Sequence, residues 1–232
     1  MSLLSLAQQI AGASGFVVPT SVIGNTDDTA TLLLRLINKS GRRQAKLDWQ
    51  ILQKEYTFAT VNGTESYALP ADYAWFKNNT AWDRTQFWQM RGSLSAQEWQ
   101  VYKSGIISAV PRERFRVWKN LLYINPIPTQ VNNLVMEYVS NGWVTDGAAF
   151  FSSFTLDTQT GYIDESLIEL EATWRFLERK GLQYQEAKKE ADDEIAKALA
   201  HDRPAEEVNM SGRPASWPPL PNFPAGNFPA HP

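Results

Sequence analysis

The chain has no cysteine and only two histidines, His201 and His231, in 232 residues. Without thiols there is no disulfide framework, no thiolate metal site, no cysteine nucleophile and no redox motif. Zinc catalysis needs two or three imidazole or carboxylate ligands around one ion, and two histidines in or beside a proline-rich tail do not provide them. Positive charge is also lacking: 22 Lys and Arg against 25 Asp and Glu leave a formal charge of -3. That balance excludes a globally basic nucleic-acid binder while leaving room for a local basic patch. Long apolar runs are missing too. The first ten residues carry Leu3, Leu4, Leu6 and Ile10 without preceding basic residues, so neither a secretory signal nor a membrane span is expected, and a cytoplasm-like site of synthesis is. No phosphate-cradling glycine loop, nucleophile elbow or His-Glu-x-x-His helix occurs. The acid pairs Asp27-Asp28 and Asp192-Asp193 read as a helix start and a solvated face. The expectation is a protein with no enzymatic role, no metal and no cofactor.

What is present is hydrophobic periodicity that changes along the chain. Hydrophobic residues make up 43% of the sequence, enough for one large core or two small ones. Ser2 followed by Leu3, Leu6, Ala7 and Ile10 predicts a capped helix that Gly12 to Gly15 end. Asn25 to Asp28 predict the start of a second helix, whose face carries Ala30, Leu33, Leu34, Ile37, Gly41 and Ala45. A glycine in mid-helix costs about 1 kcal/mol against alanine, so Gly41 is expected to let another helix approach closely. From Trp49 the period becomes β-like. Tyr56 to Val61, Asn62-Gly63, then Tyr67 and Leu69 predict a hairpin, and Phe115 to Val117, Lys119-Asn120 and Leu121 to Ile124 predict a second. Another strand is expected over Leu134 to Val139. Helical spacing returns near Asp164, with Leu167, Leu170, Trp174, Leu177 and Leu182 on one stripe that Ala187, Ala191, Ile195 and Ala198 continue.

Three features bear on function. Six of the nine tryptophans, Trp75, Trp82, Trp88, Trp99, Trp118 and Trp143, fall in the β region. They suit core or interface filling, with a carbohydrate-stacking platform as the alternative. Arg112, Arg114 and Arg116 alternate so that a strand would project them to one face. They would meet nucleic-acid phosphate or, as the favoured reading, acids of a neighbouring subunit. Eight of the 13 prolines follow His201, together with Trp217, Phe223 and Phe228, and Asn-Phe-Pro-Ala recurs at 222 and 227. Proline fixes φ and removes amide donors, so this arm is expected to be extended, with Trp217, Phe223, Pro224, Phe228 and Pro229 as anchors for grooves on another chain.

The order of the pieces resembles the head-to-tail adaptor (connector) proteins of tailed bacteriophages over residues 1 to 200. The resemblance rests on the leading Leu-rich helix, on Val22-x-Gly24 followed by Asp28, Ala30, Leu33, Asn38 and Gly41, and on Asp48-Trp49. It continues through Tyr67 to Asp72, Asn79 to Arg84, Arg112-x-Arg114-Phe115-Arg116, Leu121 to Pro126, Glu137 to Asn141 with Trp143, and Trp174 with Lys180-Gly181-Leu182. It implies a ring of twelve copies under the portal protein, bound below to a downstream tail or nozzle protein, with double-stranded DNA passing through the lumen. It further implies a virion neck component assembled in the host cytoplasm, with no catalytic residue and a C-terminal extension that grips the portal. The expected fold class is α+β: N-terminal helices (1–53), a β-rich insertion (54–150), C-terminal helices (151–202) completing a bundle, and an extended arm (203–232). Outside the resemblance, an aromatic carbohydrate-binding module of a virion surface is the alternative function, and a tail-end hydrolase the third.

Overall fold

The computed structural model describes residues 1–104 and 113–202. Arg112 and the arm anchors Trp217, Phe223, Pro224, Phe228 and Pro229 therefore lie outside the described residues. The fold is mixed α+β. In chain order it runs α1 (Leu3–Ala13), α2 (Asp28–Gln44), a 3-10 turn (Gln50–Leu52), β1 (Gln53–Ala59), β2 (Ser66–Ala68), β3 (Tyr73–Phe76), β4 (Trp82–Asp83) and β5 (Trp88–Gln89). Then follow α3 (Ala96–Lys103), β6 (Arg114–Trp118), β7 (Leu121–Asn125), β8 (Asn133–Ser140), β9 (Val144–Thr145), β10 (Phe150–Phe151), β11 (Thr160–Gly161), α4 (Glu165–Arg179) and α5 (Gln185–Asp202).

The helices start where short polar side chains satisfy free amide donors. The Ser2 hydroxyl accepts from Ser5 N at 3.3 Å, Asp27 accepts from the amides of Thr29 and Ala30, and Asp164 accepts from Ser166 N. α1, α2 and α4 bury Leu3, Leu6, Ile10, Leu33, Ile37, Ile168 and Phe176 in one core, which Trp143, Val144 and Phe154 complete from the sheet side. The expected continuous stripe from Leu167 to Ala198 is two helices. Gly181 takes φ 72° and Leu182 N donates back to Leu177 O at 2.9 Å, a Schellman closure that ends α4, so Leu182 sits half exposed in the connection.

The first predicted hairpin is corrected and the second holds. The chain turns at Asn62-Gly63, but β1 pairs with β8 over seven residues, from Gln53 opposite Val139 to Ala59 opposite Asn133, while β2 joins β7 in another sheet. Turn chemistry is local, and β8 offers β1 a longer apolar partner than the three residues of β2. The Lys119-Asn120 turn has φ 52° and 57°, the two positive values of a type I′ hairpin, and β6 pairs with β7 from Arg114–Asn125 to Trp118–Leu121. β8 is the spine of the main sheet, with β1 along one edge and β3 and β4 in succession along the other. A second core lies beneath it, made of Phe115, Leu122, Ile124, Leu134 and Met136.

Gly41 is also corrected. A Cβ there would stand 2.0 Å from the Trp143 ring. The close approach is made by an indole from the turn after β8 and not by a helix.

Candidate partner-binding surface

The α3 helix has no hydrophobic period in the sequence, yet it shapes an aromatic surface with β6 and β7. Its start is a capping box: the Ser95 hydroxyl accepts from Glu98 N at 3.2 Å, and Ser95 N donates to the Glu98 carboxylate at 2.9 Å. The Ser-x-x-Glu spacing was the available signal. The Ser95 amide, with the Ser95 side chain alongside, holds the Glu98 carboxyl below its ordinary range. α3 seats Trp99 against Tyr123 of β7, ring centroids 6.4 Å apart, and Tyr123 in turn meets Trp118 at 5.8 Å.

Cations are laid on this aromatic floor. Arg114 and Arg116 share one face of β6, as the alternation predicted. The Arg114 guanidinium lies 3.6 Å from the centre of the Tyr102 ring, Arg116 lies 5.5 Å from Trp118, and Lys119 reaches the same indole at 4.5 Å. Such stacking holds long side chains in place while leaving their charge available. Burial, reinforced by Arg91 alongside, lowers the proton affinity of Arg114, and Glu98 opposes the shift. Trp118 is 47% exposed and Trp88 43%, whereas Trp99 and Trp143 are buried, so these last two present no ring face for a sugar to stack on.

Beside this surface lies a small cavity lined by Asp83, Trp88, Glu113, Pro126, Pro128 and Asn132. Asn132 Nδ2 donates to Asp83 at 2.9 Å and to Glu113 at 3.2 Å, bridging two carboxyls. Asp83 is already committed as acceptor for the amides of Thr85 and Gln86. Burial, with Asp83 adding to it, pushes the Glu113 carboxyl above its ordinary range. The folded chain thus holds this proton more tightly than the unfolded chain. The contribution to stability is present below the ordinary carboxylate range and is lost as pH rises through the raised value. Glu113→Gln should abolish that part of the pH dependence and raise Tm at neutral pH by about 2 °C; an unchanged pH profile of melting would refute the assignment.

Four residues quoted for the family resemblance, Asn38, Asp48, Trp49 and Asp72, are structural fasteners. Asn38 Oδ1 accepts from Phe154 N at 2.8 Å, and Trp49 Nε1 donates to Gln44 O at 2.9 Å. Asp72 accepts from Lys54, Tyr138 and Ser140 at 2.7, 2.9 and 2.8 Å. Burial alone would raise the Asp72 carboxyl, but these donors hold it below its usual range. Asp48 pairs with Lys77, tying the end of the helical segment to the strand region.

The family model described as SU10 adaptor protein matches residues 1–215. The chain belongs to this phage head-to-tail adaptor family. No curated protein matches it. Family membership makes it a phage adaptor, a structural class generally without enzymatic activity, and implies a virion neck component that associates with portal and tail proteins. Among the described residues of this adaptor, no helix is long and apolar enough to cross a membrane, and no group of three or more His, Cys, Asp or Glu is placed to hold a metal ion.

Proposed function

We propose that this adaptor forms a ring, expected to hold twelve copies, that joins the portal protein to the next tail or nozzle protein and lets double-stranded DNA pass through its lumen. The observation that carries the reading is the family match over residues 1–215. It is supported by the partly exposed face of stacked cations and aromatics on α3, β6 and β7, which has the residue types that anchor protein interfaces. In this reading Arg112, Arg114 and Arg116 meet acids of a neighbouring protein. The arm from Arg203 to Pro232 latches the portal through Trp217, Phe223-Pro224 and Phe228-Pro229, an extended segment that pays little ordering entropy on docking. The formal charge of -3 suits a channel through which DNA slides without being held.

Truncation after Asp202 tests the arm. The shortened chain should melt cooperatively like the full chain and bind purified portal rings at least about tenfold more weakly. Arg114→Glu with Arg116→Glu should spare portal binding but block addition of the tail component, read by negative-stain imaging of reconstituted necks. Portal affinity unchanged by the truncation would overturn the latch, and normal necks from the arginine variant would overturn the assigned face.

A further inference from the structure

Charge is distributed unevenly over the helices. Residues 35–46 hold five cations and no carboxylate. Arg35, Lys39, Arg42 and Lys46 recur at helical spacing, all exposed, along α2 and the residue past its cap. Among the described residues, none of these four takes part in an ion pair, and of the five only Arg43 does, with Glu171. Basic residues in a last turn complement the helix dipole, which accounts for Arg42 and Arg43 but not for Arg35 or Lys39, one to two turns earlier.

α5 is the counterpart. Of its 18 residues only Ala191 and Ile195 are buried. Glu186, Glu190 and Asp193 recur at i, i+4 and i+7 and are exposed. Three lysines share the helix: Lys197 pairs with Glu194 at 2.6 Å, Lys188 leans over the Trp174 ring at 5.7 Å, and Lys189 is exposed among the acids, so the face is acidic on balance, with Glu186, Glu190, Asp193 and Glu194 against Lys189 and Lys197. α2 and α5 each pack on α4 and scarcely on each other, so the basic ridge and the acidic face do not neutralise one another through a direct helix pairing.

We propose that copies of this chain associate head to tail, the α2 ridge of one lying along the α5 face of the next; this rests on the ring reading above. Two different faces meeting is the heterologous contact that closes a ring, whereas a self-complementary face would stop at a dimer. The acidic row, about 10 Å along α5 from Glu186 to Asp193, matches the part of the ridge from Arg35 to Arg42, which has the same seven-residue span. Exposed ion pairs are individually weak and are screened by salt, so the contact is reversible and strengthens as salt is lowered.

The test is charge inversion, with association read by sedimentation velocity and native mass spectrometry at low salt, alone and on portal rings. Arg35→Glu with Lys39→Glu in one variant, and Glu190→Lys with Asp193→Lys in another, should each weaken self-association by about tenfold or more. Mixing the two should restore it, because each then offers the other an opposite charge at both faces. Thermal melts identify any variant that fails to fold, and disulfide trapping provides an independent readout in the cysteine-free chain. Lys39→Cys with Glu190→Cys should give an oxidised ladder of oligomers on non-reducing gels, whereas oxidation that leaves only monomer would count against the contact. Inverted variants that assemble like wild type, or a mixture that does not recover, overturn the inference. So does a ridge inversion that abolishes binding to a DNA duplex while leaving assembly unchanged. Wild-type protein that stays monomeric even with portal defeats the ring reading itself.

Discussion

Gly41→Ala is expected to destabilise this adaptor by about 2 kcal/mol, although the same exchange in an ordinary helix stabilises by about 1 kcal/mol. The helix gains backbone rigidity, but the new methyl would be placed 2.0 to 2.4 Å from three atoms of the Trp143 ring. That ring cannot withdraw easily. It is fully buried, its Nε1 donates to Ser152 O at 2.8 Å, and Phe154 stands edge-on against it at 5.1 Å. Interiors are close-packed, so the strain spreads into displaced side chains instead of being absorbed by free space. The melting temperature should fall by about 4 to 8 °C for a chain of this size. In a Trp143→Leu background, itself costing about 3 kcal/mol, the alanine should become neutral or stabilising. Urea denaturation of the four proteins measures the coupling directly. A Gly41→Ala protein more stable than wild type would refute the close-packing account.

Glu171→Ala should cost still more, about 4 kcal/mol. Glu171 is 0% exposed on α4, where its carboxylate accepts from Arg175 Nη2 at 2.6 Å, Arg43 Nη1 at 2.9 Å and Gln44 Nε2 at 2.5 Å. It is the one acid in a contact that otherwise holds two guanidinium groups and an amide, and it ties α2 to α4. Removing it leaves Arg175, only 9% exposed, as a buried cation without a counter-charge. The penalty is then the desolvation of that cation as well as the loss of the pair. Replacing both buried partners, Glu171→Leu with Arg175→Met, should recover most of the loss, because the one cation left unpaired, Arg43, is half exposed and turns to water. A Glu171→Ala cost below about 1 kcal/mol would show that water solvates Arg175 and that the network is not closed.

Glu171 was invisible as a core residue in the sequence. It interrupts the apolar stripe of α4, and an acid at such a position reads as a solvated face unless the opposite helix is known to carry Arg43 and Gln44 at the same height. Gly41 was legible as a site of close approach but not as to what approaches. The helix-forming stripe contained the glycine, while the indole came from a turn some hundred residues later. The same division runs through the β region. The Lys119-Asn120 hairpin was readable because its two positive φ angles and its short connection are properties of adjacent residues. The partner of β1 was not, because Asn62-Gly63 turns the chain whichever strand is paired afterwards. The arginine face was readable in part: alternation put Arg114 and Arg116 on one side, but α3 supplies Tyr102 beneath Arg114, and no apolar period announced that helix.

From sequence alone came the helix starts at Ser2, within Asn25 to Asp28 and near Asp164, the hairpin at Lys119-Asn120, the lack of catalytic motifs and the family itself, all of which rest on neighbouring residues or on the order of short motifs. Tertiary structure alone decided that β8 is the spine of the sheet, that Trp143 occupies the space Gly41 leaves, and that Glu171 is buried between two arginines. These depend on contacts between residues far apart in the chain, and a periodicity that exposes which face is apolar carries no information about which other face will cover it.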